Sequence, residues 1–206
     1  MSSASIKNVV FDVGNVIVRW SPIEIVNLTF GTQGDASHQR AKQIFQNDIW
    51  LELNKGQLTE AETKTRYQAE IDLTPEECDR LFYYVKETQI LLHGSIDLIK
   101  KLKAAGYRIF ALTDNVHEIV AHLQQRYKFW GLFEHATVSA ELGVLKPSDD
   151  IYQALLEQNN LVANETVFLD DMPYNVDGAL KNGLHAIQFS SAEQAEHALR
   201  KLGLEF

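Results

Sequence analysis

An aspartate follows the first apolar run of the chain, and three later apolar runs also end in polar groups that could take part in chemistry. Asp12 comes directly after residues 6–11, whose β-branched and aromatic side chains predict a short buried strand. The later groups are Thr113, Lys146 and the pair Asp170 and Asp171. If these runs are parallel strands, the polar groups share the carboxyl edge of one sheet, where α/β sheets bind ligands.

The chemistry of these groups is complementary. A carboxylate such as Asp12 can attack phosphorus and form an aspartyl-phosphate. Two further carboxylates nearby would repel that nucleophile unless a cation lay among them, and oxygen ligands of this kind suit Mg²⁺. Thr113 can donate to a phosphoryl oxygen, and Lys146 can neutralise charge on the nucleophile and the phosphate. Each group alone can be explained as a turn or helix-capping residue, but their occurrence together indicates phosphoryl transfer.

The elements that must position these groups alternate between helix and strand from residue 94 onward. Strands are predicted at 107–113, near 135–139, at 166–169 and at 185–189. Helices are predicted at 95–105, 116–127, 149–159, 174–182 and 192–202. This alternation predicts a parallel sheet with right-handed crossovers, which is an α/β fold with a Rossmann-like core.

Residues 22–88 carry helix signals instead. Capping boxes begin at Thr59 and Thr74, and Gly31-Thr-Gln-Gly34 predicts a loop between two helices. The segment is too long for a loop, so we predict a helical cap subdomain inserted after the first strand. The predicted core comprises residues 1–18 and 91–206, and the predicted cap comprises residues 19–90.

Composition excludes several classes of function. The chain has 206 residues and a net charge of −9, which argues against nucleic acid as a partner. Cys78 is the only cysteine, so neither an intrachain disulfide nor a cysteine zinc cluster is expected. The chain start lacks the features of a signal peptide, and no apolar run is long enough to span a membrane. We therefore expect a cytoplasmic protein, and the oligomeric state cannot be predicted from the sequence.

Four motifs occur in order along the chain. They are Phe-Asp12-Val-Gly14-Asn15-Val, Leu112-Thr113-Asp114-Asn115, Gly143-Val-Leu-Lys146-Pro147 and Phe168-Leu-Asp170-Asp171. Together with the inserted helical segment, they resemble the motifs of a haloacid-dehalogenase-superfamily (HAD) hydrolase over essentially the whole chain. The resemblance implies a Mg²⁺-dependent phosphatase acting on a small phosphorylated metabolite.

The resemblance also implies roles for individual residues. Asp12 would be the nucleophile and a metal ligand, and the backbone carbonyl of Gly14 would be a second ligand. Asp171 would bind Mg²⁺ directly, with Asp170 nearby or bridging through water. Thr113 and Lys146 would hold the phosphate.

Three further residues are candidates for substrate binding: Asn15, Asp114 and Trp20. Trp20 either lines the entrance between cap and core or packs inside the cap, and the sequence favours neither. At Asp114 the family frequently has asparagine. We predict that its side chain caps the following helix, since that needs no perturbed pKa; the alternative is a part in proton transfer.

A second departure from the family concerns Gly14, which stands where most phosphatases of this family carry an aspartate as general acid and base. Without that general acid and base, the rate is expected to fall by roughly 10²–10⁴-fold. Turnover is then slow, or favours leaving groups that depart without protonation, such as the hemiacetal oxygen of a sugar 1-phosphate. The Asp-x-Gly-Asn-Val form also resembles the bacterial glucose-1-phosphate phosphatase branch, which implies sugar phosphates as substrates.

Other functions stay open at this point. Haloacid dehalogenases also lack the second aspartate and need no metal, but they carry small polar residues where this chain has Asp170 and Asp171. A phosphomutase is disfavoured because it needs the proton shuttle in both half-reactions. A non-catalytic phosphosugar-binding protein is disfavoured because binding alone does not require Asp12.

Overall fold

One parallel sheet organises the protein. The computed structural model describes residues 5–206; residues 1–4, which belong to the predicted core segment 1–18, lie outside the described part. The sheet has the order β3-β2-β1-β4-β5. Its strands are β1 (Asn8–Phe11), β2 (Arg108–Thr113), β3 (His135–Val138), β4 (Thr166–Asp170) and β5 (His185–Gln188). The predicted α/β class with a parallel sheet is confirmed.

The strands place their ends at one edge in register. Phe11 of β1 lies between Ala111 of β2 and Leu169 of β4, so the residues that follow Phe11 and Leu169 are neighbours. β1 is central and fully buried, as the apolar run Val9-Val10-Phe11 predicts for a strand covered on both faces. The residue after Phe11 is Asp12, which is thereby fixed at the middle of the carboxyl edge.

Helices cover both faces of the sheet. They are α6 (Ser95–Ala104), α7 (His117–Arg126), α8 (Ser139–Leu142), α9 (Asp149–Gln158), α10 (Pro173–Lys181) and α11 (Ala192–Lys201). Val10 and Phe168 point to the face covered by α9 and α10, whereas Val9 and Leu169 pack in the cluster that includes α6 and α11. The alternation of side chains along each strand produces these two apolar layers.

Five further helices lie between β1 and α6. They are α1 (Pro22–Phe30), α2 (Asp35–Phe45), α3 (Asp48–Asn54), α4 (Glu60–Glu70) and α5 (Pro75–Glu87). Both predicted capping boxes are present, with Thr59 and Glu62 opening α4 and Thr74 and Glu77 opening α5. The predicted loop at residues 31–34 joins α1 to α2.

This helical insertion rests on the carboxyl edge of the sheet. The Ser139 hydroxyl donates to the Asn54 carbonyl at 2.7 Å, and the Tyr127 hydroxyl donates to the Gln89 carbonyl at 3.0 Å. Gly56 has a φ of +66°, and a Cβ there would overlap the carbonyl oxygen of Ala140. Only glycine therefore permits the loop after α3 to approach the core this closely.

Among the described residues, no helix combines the length and the apolar character that a membrane crossing requires.

Candidate active site

The loop after β1 turns sharply and presents Asp12. The Asp12 backbone N–H donates to the Leu169 carbonyl at 2.9 Å, which extends the pairing with β4 by one residue. The chain then folds back, with the Ile17 N–H donating to the Val13 carbonyl at 2.9 Å. Asn15 adopts a positive φ of 51° within this turn, a conformation that asparagine tolerates better than most residues. Asp12 is consequently held with only 7% of its surface exposed.

Lys146 lies between two carboxylates. Its Nζ is 2.9 Å from Asp12 Oδ1 and 2.7 Å from Asp170 Oδ2, and its side chain is almost completely buried. Burial by itself would lower the pKa of Lys146, but the surrounding carboxylates, led by Asp12 and Asp170, outweigh it and raise the pKa. Lys146 is therefore a permanently charged ammonium group inside the site.

One ammonium group does not neutralise the acidic cluster. Burial raises the pKa of Asp12 to about 8, opposed by Lys146 and reinforced by the charge of Asp170. Burial also raises the pKa of Asp171, against the hydrogen bond from Asn15. Both shifts mean that the ionised carboxylates are disfavoured by burial, and that Lys146 only partly offsets this cost.

The three carboxylates fit a hard divalent cation. One oxygen each from Asp12, Asp170 and Asp171 lie within 4.8 Å of one another. Oxygen donors of this kind are what Mg²⁺ takes from proteins, together with backbone carbonyls and water. A bound cation would supply the positive charge that the raised pKa values of Asp12 and Asp171 call for.

Asp170 and Asp171 are held differently. Asp170 is completely buried, and its oxygens accept from the Met172 N–H at 2.8 Å and from Asn175 Nδ2 at 3.1 Å, besides Lys146. Asp171 is half-buried, borders the cavity and accepts from Asn15 Nδ2 at 3.2 Å. Asp170 thus anchors Lys146 while Asp171 offers oxygen toward the cavity.

A cavity of about 590 Å³ lies between the carboxyl edge of the sheet and the helical insertion. Its floor includes Asp12, Gly14, Lys146 and Asp171, and its opposite side is formed by residues of α2 and α3. A chamber of this size can hold a drug-sized organic molecule. The carboxylates, the lysine and the cavity together form a site for a small anionic ligand.

A family model described as haloacid dehalogenase-like hydrolase matches residues 6–183. The chain belongs to this family. The HAD match includes strands β1 to β4 and the inserted helices, so the family assignment covers the candidate site and the cavity together.

The relatives described here cover at least 95% of this HAD chain. It is 24% identical over 199 residues to the sesquiterpene phosphatase astK of Aspergillus oryzae, covering 95% of this chain and 96% of that one. A predicted HAD-like hydrolase from Porphyromonas gingivalis aligns with a TM-score of 0.79 and 24% identity over 98% of this chain and 100% of that chain. An HAD family enzyme from Bacteroides thetaiotaomicron, solved as an aspartate-to-alanine mutant with magnesium and inorganic phosphate, aligns with a TM-score of 0.79 and 19% identity, over 95% and 100% of the two chains.

The expected role of Asp114 as a helix cap is wrong. The helix α7 begins at His117, its capping residue is Val116, and no side chain caps it. The Asp114 carboxylate instead accepts the backbone N–H of Lys146 at 3.0 Å. Burial raises the pKa of Asp114, although the nearby Lys146 charge opposes the shift. Asp114 therefore positions the loop that carries Lys146, and it also borders the cavity.

Thr113 and Asn15 occupy the places that the motifs predict, but with different surroundings. Thr113 ends β2 and is 1% exposed, beneath the residues that border the cavity. Asn15 borders the cavity, and its Oδ1 accepts the Trp20 N–H at 2.9 Å. Asn15 thereby links Asp171 to the first residues of the helical insertion, and the substrate-binding roles of Thr113 and Asn15 stay predictions.

Sequence reasoning missed Asn175 and the aromatic neighbours of Trp20. Asn175 donates to both oxygens of Asp170, and nothing around it in the sequence signals this contact. Trp20 borders the cavity and also contacts Phe45 and Trp50. Trp20 therefore both borders the cavity and packs against residues of the helical insertion, and its part in substrate binding stays a prediction.

Proposed function

We propose that this HAD hydrolase is a Mg²⁺-dependent phosphatase that cleaves a small phosphorylated metabolite through an aspartyl-phosphate on Asp12. The observation that carries the proposal is the convergence of Asp12, Asp170 and Asp171 around Lys146 at the floor of the cavity. The magnesium and phosphate complex of the Bacteroides thetaiotaomicron relative and the phosphatase name of the Aspergillus oryzae relative support it.

Each residue has a role in the proposed reaction. An Asp12 oxygen attacks phosphorus, the P–O bond to the alcohol breaks, and water then cleaves the aspartyl-phosphate to release inorganic phosphate. Lys146 and Thr113 hold the phosphoryl oxygens. Asp12, Asp171, the Gly14 carbonyl and, more remotely, Asp170 would hold Mg²⁺, which supplies positive charge against the negative ester.

The helical insertion completes the proposed site. We propose that residues 19–90 act as the cap and residues 1–18 and 91–206 as the catalytic core. The cap would exclude water and contribute Trp20 to substrate binding, beside Asn15 and Asp114 on the core side. Sugar phosphates, implied by the resemblance to glucose-1-phosphate phosphatases, are one substrate class; the aromatic lining of the cavity favours esters of hydrophobic alcohols.

Two other functions are weaker proposals. A metal-independent haloacid dehalogenase would bind a carboxylate substrate beside the clustered carboxylates of Asp12, Asp170 and Asp171, and repulsion between like charges opposes that binding. A non-catalytic phosphosugar-binding protein does not explain why an ionisable carboxylate, Asp12, is buried at the cavity floor.

Metal removal tests the proposal directly. EDTA should abolish phosphate release from p-nitrophenyl phosphate, and Mg²⁺ should restore it. Mg²⁺ at 100 times its Kd should also stabilise the protein by about 2.7 kcal/mol, measured as a rise in Tm. Asp171→Asn should lose most of that rise, whereas Asp177→Asn, an exposed acid of α10 away from the cavity, should keep it. Full activity in EDTA would instead favour the dehalogenase.

Placing an aspartate at position 14, where most phosphatases of this family carry their general acid, should raise the rate of hydrolysis for esters with poor leaving groups. A Cβ at Gly14 would lie 3.8 Å from the Trp20 Cβ, an ordinary contact, so Gly14→Asp fits the loop. General acid catalysis is worth at least about 10²-fold when the leaving group needs a proton. The variant should therefore gain that factor on alkyl phosphates and much less on p-nitrophenyl phosphate, in steady-state assays with Mg²⁺. Equal changes on both esters would show that proton transfer is not what this enzyme lacks.

A further inference from the structure

Three aromatic side chains form one wall of the cavity, which we call the aromatic wall: Trp20, Phe45 and Trp50. The Trp20 and Trp50 rings are stacked, with centroids 5.8 Å apart and planes 13° apart. The Phe45 ring meets both edge-on, at 5.4 Å from Trp20 and 4.9 Å from Trp50. Such stacked and T-shaped contacts hold the rings in place, so the wall is preformed.

The aromatic wall begins at the loop that carries the candidate nucleophile. The Trp20 N–H donates to Asn15 Oδ1 at 2.9 Å, and Asn15 in turn donates to Asp171 at 3.2 Å. The Trp20 Cβ is also the nearest atom to the space beside Gly14. An ester whose phosphate lies at Asp12 therefore has its alcohol carbons against the wall.

The polar side chains that the helical insertion brings to the cavity, apart from the tryptophans, either donate to backbone carbonyls of the insertion or lie exposed at the rim. The side-chain amides of Asn54 and Gln89 donate to the Trp50 carbonyl at 2.8 Å and the Val85 carbonyl at 2.9 Å. The remaining polar side chains that the insertion contributes are exposed at the rim of the cavity: His38, Lys42 and Gln46. The apolar residues of the lining beside the aromatic wall include Pro22, Ile23, Ala41, Ile119 and Leu145, whereas the polar groups of the core side lie around the carboxylates.

We propose that the natural substrate is the phosphate monoester of a hydrophobic alcohol, whose carbon skeleton lies on the aromatic wall; this rests on the proposed phosphatase function. A sugar can place a C–H face on an aromatic ring, but its hydroxyls still need hydrogen-bond partners. Burying them against the wall removes water without replacing it, which disfavours binding. A hydrocarbon skeleton loses nothing there and gains from leaving water.

A matched pair of esters tests the substrate class. Cyclohexylmethyl phosphate and glucose 6-phosphate are both esters of primary alcohols on a six-membered ring, so their leaving groups are closely related and they differ mainly in hydroxyl groups. With Mg²⁺ present, kcat/KM for cyclohexylmethyl phosphate should exceed that for glucose 6-phosphate by about 10–100-fold. Calorimetry on the inactive Asp12→Asn variant should show the same order of Kd, with a negative heat-capacity change for the cyclohexyl ester.

A tryptophan pair tests the aromatic wall itself. Trp20→Leu should raise KM for cyclohexylmethyl phosphate about tenfold, since it removes the flat face while staying apolar. Its inhibition by inorganic phosphate, which lacks an alcohol group, should not change. Trp130→Leu is the control, because Trp130 is also partly buried but lies outside the cavity lining. A similar rise in KM for both variants would overturn the role of the wall.

The outcomes separate this inference from the phosphatase proposal. If p-nitrophenyl phosphate is hydrolysed but glucose 6-phosphate equals or exceeds the cyclohexyl ester, the substrate class is wrong and the phosphatase stands. If none of the esters releases phosphate, the phosphatase proposal fails. In that case the Kd values from calorimetry still show which ester the cavity binds more tightly. Tighter binding of glucose 6-phosphate than of cyclohexylmethyl phosphate overturns the inference.

Discussion

Replacing Asp12 by asparagine should reduce phosphate release by at least about 10³-fold, the scale on which removal of a nucleophile acts in other hydrolases. The amide has the shape of the carboxylate but cannot attack phosphorus. Its neighbours Lys146 and Asp170 still hold one another at 2.7 Å, so the site should keep its shape. Initial rates on p-nitrophenyl phosphate with saturating Mg²⁺ measure the effect.

The same substitution should not destabilise the metal-free protein. The pKa of Asp12 rises from 3.8 to about 8 on folding, chiefly because of burial, so the folded state binds the proton more tightly than the unfolded state. An acid of this kind lowers the free energy of unfolding as pH rises from about 4 to about 8. Asp12→Asn should remove that part of the decline, seen as a flatter dependence of Tm on pH in EDTA.

Asp177→Asn serves as the control for Asp12→Asn. Asp177 is exposed on α10 and lies outside the cavity lining, so this variant should keep both the wild-type rate and the wild-type pH dependence of Tm. An Asp12→Asn protein that releases phosphate at the wild-type rate would show that another group attacks phosphorus.

Most of the fold was predictable because its signals are local. Alternating strands and helices gave each strand end to within two residues, and the capping boxes at Thr59 and Thr74 identified the starts of α4 and α5. These signals depend on side chains that interact with their own backbone within one helical turn. The proximity of the carboxylates at the ends of β1 and β4 was predictable too, since the strand register alone makes them neighbours.

Contacts between distant segments were not predictable in the same way. Asp114 lies beside the start of a helix, and local reasoning assigned it to that helix, yet its partner is the backbone of Lys146, 32 positions later in the chain. The stacking of Trp20 on Trp50 depends on how α3 packs against the chain before α1. Neither contact follows from a repeating pattern in the sequence. Each forms only when separate elements pack together, and local signals do not determine that packing.

Lys146 contacts Asp12 and Asp170, which come from two different strand ends. Its loss should therefore lower the stability of the fold as well as the rate of the reaction. Lys146→Met keeps an unbranched apolar stem, one atom shorter, but leaves Asp12 and Asp170 buried without their ammonium partner. Removing one member of a buried ionic group typically costs about 3–5 kcal/mol. We expect a loss of that size in the free energy of unfolding without metal, measured by urea denaturation followed through tryptophan fluorescence.

Lys181→Met is the matched control, because Lys181 also pairs with a carboxylate at 2.7 Å but is 71% exposed. An exposed pair contributes little, so this variant should unfold close to the wild type. At alkaline pH, where Asp12 is ionised, adding Asp12→Asn to Lys146→Met should recover part of the lost stability, since it then removes one of the two uncompensated charges. Equal, small losses for Lys146→Met and Lys181→Met would mean that water or a bound cation, rather than Lys146, balances the carboxylates. Lys146 would then not be the group that stabilises the negative charge of the site.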